Sequence, residues 1–193
     1  MIAASTDRQY FQKLYEASVD PFHNWRNEYE DSKRAQALSL LQKAFYPTAF
    51  EPGCGNGALS LDLSERCGHL SSVDWSSDAL RAASLHCAGV ANIDFSEMDF
   101  PAALPQKTFD LLIVSELLYY FSEMRLKKFF HSIPEIVKPG GEVMLIHWRG
   151  ASDDYPSTGD AVHEEFHKLT SIRQAQVFEH PQYLISSGIV LCS

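Results

Sequence analysis

The sequence predicts an α/β fold, a mostly parallel sheet with helices on both faces, from three observations. From Pro47 onward, short segments of strand character alternate with amphipathic stretches at helical spacing. One segment, "FDLLIVSE" at 109–116, is apolar almost throughout, as in a strand buried on both sides. The stretches between successive strands are long enough to be crossovers, which parallel neighbours require.

The first 46 residues read as a helical cover, with Leu38, Leu41, Ala44 and Phe45 at helical spacing and an interruption around "DPFHNWRNEYE". "TAFEP" is the first strand, and Leu59, Leu63 and Cys67 mark one face of the helix after it. "HLSSVD" is the second strand, followed by a helix through Leu80, Ala83 and Cys87. "NIDFSEMD" and "FDLLIVSE" are the third and fourth strands. Leu126, Phe129, Phe130, Ile133 and Val137 form a helical stripe that Pro134 kinks by removing a backbone donor. "KPGG" stops that helix, and "GEVMLIHW" is the fifth strand. The alternation then ends with a short helix over 161–169 and two successive strands, "RQAQVFEH" and "QYLISSGIVLCS", read as an antiparallel edge pair. The expectation is one domain over 1–193: a helical cover (1–46), a ligand-binding core (47–150) and a C-terminal helix with edge strands (151–193).

Composition narrows the function classes. With 16 Lys+Arg against 25 Asp+Glu the formal net charge is −9, the wrong sign for wrapping nucleic acid or lying on an anionic membrane. No apolar run approaches the roughly 18 residues of a membrane span. Cys54, Cys67, Cys87 and Cys192 fall at no metal-ligand spacing, and "MIAASTDRQY" has neither a basic nor an apolar leader region. A reduced, cytoplasmic protein is expected.

The stretch "EPGCGNG" places Gly53, Gly55 and Gly57 between a strand and a helix, where glycine lets a ligand approach the main chain. The spacing is not the dinucleotide fingerprint, and no Lys-Ser/Thr follows to grip a phosphate. Glu51, at the mouth of the loop, would repel a pyrophosphate but hold a cationic group such as an ammonium. Asp74 closes the second strand, where an acid takes ribose hydroxyls, and Asp99 closes the third, placed to accept from a purine amine. Together they describe a nucleoside ligand carrying an amino group and no phosphate.

These residues, with "VDWS" (73–76), "MDF" (98–100), "FDLLIVSELLYYF" and "LIHW" after "KPGG", resemble the successive motifs of class I S-adenosylmethionine-dependent methyltransferases. "DPF" followed by "YEDSK", and "SELLYY", are similar to the NodS-like (nodulation protein S) group, whose namesake N-methylates a chitooligosaccharide amine. The resemblance implies a Rossmann-like seven-stranded fold, with S-adenosyl-L-methionine as cofactor and S-adenosyl-L-homocysteine as product. It implies that Gly53, Cys54, Gly55 and Gly57 lie against the methionine moiety, Asp74 binds the ribose and Asp99 meets the adenine. Glu51 is then the acid that opens the glycine motif, Trp75 and Phe100 flank the adenine, Ser115 joins the cofactor side and Tyr29 helps close the site.

Methyl transfer from a sulfonium needs an aligned, unprotonated nucleophile. Glu116 and His147, beyond the fourth and fifth strands, are the candidate catalytic residues; an imidazole takes a proton near neutrality. Tyr119 and Tyr120 are candidates for an acceptor wall with a polar tip, and His163 for a further acceptor contact. The acceptor is expected to be a small molecule, an amine or a hydroxyl, with no nucleic-acid or membrane partner. Two rival readings remain, a noncatalytic cofactor-binding protein and a zinc hydrolase. The latter rests on His163, Glu164 and His167, which match His-Glu-x-x-His without an evident third ligand.

Overall fold

The computed structural model describes residues 8–153 and 155–192, so the first seven residues of the predicted helical cover lie outside the described residues. Its strands form a seven-stranded sheet of order β3-β2-β1-β4-β5-β7-β6, the mixed, mostly parallel α/β architecture that the alternation predicts. Among the described residues no helix is long and apolar enough to cross a membrane. The chain divides into two compact units, over residues 8–100 and 101–192.

The first unit contains α1 (Arg8–Ala17), α2 (Glu28–Ser39), β1 (Tyr46–Pro52), α3 (Ala58–Ser64), β2 (Cys67–Asp74), α4 (Ser77–His86) and β3 (Ile93–Glu97). β1 pairs with β2 and β2 with β3, both parallel. α2 starts where the Asn27 side chain accepts from the Tyr29 and Glu30 amides. It stops at Ser39, earlier than the Leu38–Leu41–Phe45 spacing predicts. The reason is Arg66, whose guanidinium donates to the carbonyls of Leu38 (2.8 Å), Lys43 (3.0 Å) and Ala44 (2.9 Å) and holds 41–45 as a bent connection. Cys67, expected on the face of a helix, is instead the first residue of β2.

The second unit contains β4 (Phe109–Ser115), a single 3-10 turn (Leu118–Tyr120), α5 (Glu123–Ile136), β5 (Val137–Trp148), α6 (Gly159–His167), β6 (Ile172–Glu179) and β7 (Tyr183–Val190). Phe109 and Leu111–Val114 have no exposed surface, the burial expected of "FDLLIVSE". β4 and β5 run parallel, while β7 pairs antiparallel with both β5 and β6, so β6 is the edge and β7 is not. Pro134 lies in the last turn of α5. "KPGG" does not precede β5 but is carried inside it: Val137 pairs with Phe109 and Glu142 with Leu111, so 138–141 bulge out with Gly140 at φ +76°.

Candidate active site

In the first unit the glycine loop is folded back onto the end of β2. The amides of Gly53 and Cys54 both donate to the carbonyl of Val73, at 2.7 and 3.1 Å. Gly53, Gly55 and Gly57 all have left-handed backbones, with φ of 72°, 54° and 78°. A Cβ on Gly55 would lie 2.6 Å from the Tyr15 hydroxyl, and one on Gly57 would lie 3.0 Å from the Ala83 Cβ and 3.2 Å from the Cys87 sulfur. The loop thus packs closely at two glycines, against Tyr15 of α1 at Gly55 and against α4 at Gly57.

Asp74 anchors this loop. Its Oδ2 accepts from the Gly55 amide at 3.0 Å and its Oδ1 from the Ser76 amide at 2.9 Å. Burial raises its carboxyl pKa, opposed by the backbone amides of Ser76, Gly55 and Trp75. Tyr15, on α1, stands over Gly55, and burial together with Asp74 pushes its phenol well above the usual range. Sequence reasoning missed Tyr15, because nothing in its local pattern says that α1 returns to the loop. Trp75 packs against Phe11 of the same helix, centroids 5.7 Å apart, and Arg8 pairs with Glu97.

Glu51, expected at the mouth of the loop, is turned inward. It is 2% exposed, and its Oε2 accepts from the hydroxyls of Ser60 (2.5 Å) and Ser72 (2.8 Å), so it braces α3 against β2 beneath the loop. Burial raises its pKa from 4.5 to about 7 despite those two bonds. Phe100 is likewise turned inward, edge-on to Phe50 at 5.7 Å. Asp99 is exposed and sits two residues past β3, which ends at Glu97 rather than at the acid. Cys54 is buried, and burial pushes its thiol pKa up. Tyr29 lies in the first turn of α2 with the Lys33 ammonium 5.2 Å from its ring centroid.

The second unit gathers the other candidates at the carboxyl ends of β4 and β5. Ser115 is the last residue of β4 and half-buried. Glu116 follows with a left-handed backbone, φ +53°, a strained conformation for a residue with a side chain. Its Oε2 accepts from the Tyr119 hydroxyl at 2.7 Å and from the Trp148 amide at 2.9 Å. Tyr119 stacks on Tyr155 (4.9 Å, 10°), and Tyr120 meets both rings edge-on at 4.7 Å. The Ser157 amide donates to the Tyr119 carbonyl at 3.2 Å, tying the loop that carries Tyr155 to this turn. Burial and then Glu116 push the Tyr119 phenol well above its usual range. Tyr155 is a further residue not singled out from sequence; it lies in a loop whose path depends on this contact.

His147 is fully buried, with Nε2 accepting from the Leu118 amide at 3.2 Å and Nδ1 3.1 Å from His163 Nε2. Neither ring nitrogen in this arrangement meets an incoming acceptor, contrary to its expected role as a base. His163, expected at the acceptor, is also buried, with Nδ1 2.7 Å from the Ser186 hydroxyl. That hydroxyl also lies 3.0 Å from His167 Nε2, so both imidazoles of the His-Glu-x-x-His match turn to a serine. Among the described residues no group of three or more potential ligands could hold a metal ion.

A family description of a methyltransferase domain matches residues 49–141, which include the glycine loop, Asp74, Glu116 and both tyrosines. A solved chain from Pseudomonas syringae assigned as a methyltransferase is 30% identical, with a TM-score of 0.75 over 84% of this chain and 99% of that one. The N-methyltransferase NodS from Bradyrhizobium japonicum WM9, solved in complex with S-adenosyl-L-homocysteine, shares the fold with a TM-score of 0.84 at 20% identity, over 94% of this chain and 97% of that one. Nodulation protein S from Sinorhizobium fredii is 26% identical over 67% of this chain, which spans 61% of that relative's length.

Proposed function

The chain belongs to the methyltransferase-domain family, and on that premise we propose a cytoplasmic enzyme, one domain over 1–193, that moves the methyl group of S-adenosylmethionine to a small-molecule acceptor. The amine of an amino sugar is the preferred acceptor, because the relatives include an N-methyltransferase bound to S-adenosylhomocysteine. The observation that carries the reading is the loop at Gly55, with its amide held by the carboxylate of Asp74 at 3.0 Å. Such a loop fits a sulfonium nucleoside: it sets left-handed glycine main chain beside an acid, for a ligand that carries positive charge and no phosphate.

When bound, the cofactor supplies a methyl group on a cationic sulfur. The left-handed turns at Gly53, Gly55 and Gly57 shape the loop that meets the cofactor, and Asp74, through its fixed carboxylate, orients hydroxyl groups. Asp99, exposed past β3, is the acid assigned to an exocyclic amine, and Trp75 and Tyr15 wall the loop. On the acceptor side Glu116 is the group that draws an ammonium and takes its proton, and Tyr119, Tyr120 and Tyr155 form an aromatic wall that favours a cation. His147 supports the turn beneath them. The test is calorimetric titration with S-adenosylmethionine and S-adenosylhomocysteine, with NAD as comparator, followed by turnover on glucosamine and on catechol. Saturable binding of both adenosyl ligands and methylation of the amine are expected. Absence of binding would sink the reading, and methylation of catechol alone would change the acceptor from nitrogen to oxygen.

A further inference from the structure

The cluster around His147 has a property beyond burial: one backbone amide fixes the direction of every hydrogen bond in it. An amide N–H can only donate, so His147 Nε2, 3.2 Å from Leu118 N, must carry a lone pair. A protonated His147 would set donor against donor there, so the ring is neutral with its hydrogen on Nδ1. That Nδ1–H donates to His163 Nε2 across 3.1 Å, which leaves the His163 hydrogen on Nδ1. His163 Nδ1–H then donates to Ser186 Oγ at 2.7 Å, and the single hydroxyl hydrogen of Ser186 points to His167 Nε2 at 3.0 Å. His147, His163 and Ser186 are buried and His167 is exposed, so the chain runs from beneath the 118–120 turn to the surface.

We infer that His163 and Ser186 are positioning residues, which lock His147 in the tautomer that accepts from the Leu118 amide and thereby seat Tyr119 and Tyr120. The ring of His147 meets Tyr119 edge-on at 5.5 Å as well, so its orientation reaches the aromatic wall through two contacts. α6 packs against the same turn, placing His163 directly behind it. The neutrality of His163 agrees with a pKa lowered from 6.5 to about 2 by burial, with His147 and His167 adding to it. The inference rests on the proposed acceptor side for its catalytic meaning but not for its test. It also accounts for the His-Glu-x-x-His match: the spacing that would present two imidazoles to zinc presents them to one hydroxyl.

The experiment is nitrogen-15 spectroscopy of the histidine-labelled full chain, with the Leu118 amide and Tyr119 ring resonances followed in parallel. His147 and His163 are expected to show protonated Nδ1 and bare Nε2. Ser186→Ala should release the His163 tautomer and shift both the Leu118 and Tyr119 signals. His163→Gln, whose amide keeps one acceptor and one donor group, should return those signals toward their original positions, whereas His163→Phe should not. A protonated Nε2 on either ring of the parent protein overturns the inference, as do unmoved Leu118 and Tyr119 signals in a folded Ser186→Ala or His163→Phe protein. If the tautomers and shifts are as expected while neither S-adenosylmethionine nor S-adenosylhomocysteine binds, the proposed function fails and the positioning role stands.

Discussion

The hydroxyl of Tyr119 donates to Glu116 at 2.7 Å, and Glu116 makes that contact from a left-handed backbone at φ +53°. The strain aims the carboxylate at the tyrosine and at the Trp148 amide together. If Glu116 takes the acceptor's proton, Glu116→Gln lowers kcat about a hundredfold while leaving S-adenosylmethionine affinity unchanged. Tyr119→Phe keeps the stacked ring and loses only the hydroxyl, so a smaller loss, about tenfold, is expected. Steady-state kinetics beside calorimetry checks both.

Asp74→Ala frees the Gly55 amide and removes the acid at the loop. Adenosyl ligand affinity should fall by about tenfold or more, because a carboxylate acceptor is lost and the loop it fixes is released together. Equal titration curves for parent and variant would show that the loop does not hold the cofactor.

Glu51 gives a pH prediction with a definite sign. Its pKa is raised on folding, from 4.5 to about 7, so the folded state binds more protons than the unfolded state between those values. Stability therefore falls as pH rises from 4.5 to 7, by an amount of order 3 kcal/mol. Glu51→Gln should flatten that part of the profile and melt higher than the parent at pH 7.5. Denaturant titrations across the range decide it.

Gly57 is held at φ +78° with its missing Cβ aimed at Ala83 and Cys87. Gly57→Ala should cost about 1–3 kcal/mol through backbone strain and overpacking of α3 on α4. A melting temperature within a degree of the parent would contradict the packing role.

The strands were legible because burial imposes a pattern on every residue of a strand. Val114 and its neighbours could hardly be read otherwise, and the acid at Asp74 falls where β2 ends. What was not legible depends on residues distant in sequence. Ser39 ends α2 because Arg66 collects one carbonyl from its last turn and two from the connection beyond it. The side to which Glu51 turns is set by Ser60 and Ser72, and sequence marks its charge but not its direction. His147 reads as a base from its place at a strand end, while the partners of its ring, the Leu118 amide and His163, lie 29 residues before it and 16 after it.

The three carbonyls held by Arg66 also decide where the N-terminal helices can bend. A six-residue connection between a helix and a strand is an obvious hinge, but this one is riveted at Lys43 and Ala44 to the same side chain that holds Leu38 at the end of α2. Swinging α1 off Gly55 must then pivot upstream, in the segment 18–27 between α1 and α2, where Asn56 donates to the Val19 carbonyl and the Asp20 carboxylate and Arg34 to the Asn24 carbonyl, separate ties in place of one side chain on three carbonyls. Limited proteolysis should nick 18–27 before 41–45, and Arg66→Ala should reverse that order, turning a fixed mount into a second joint.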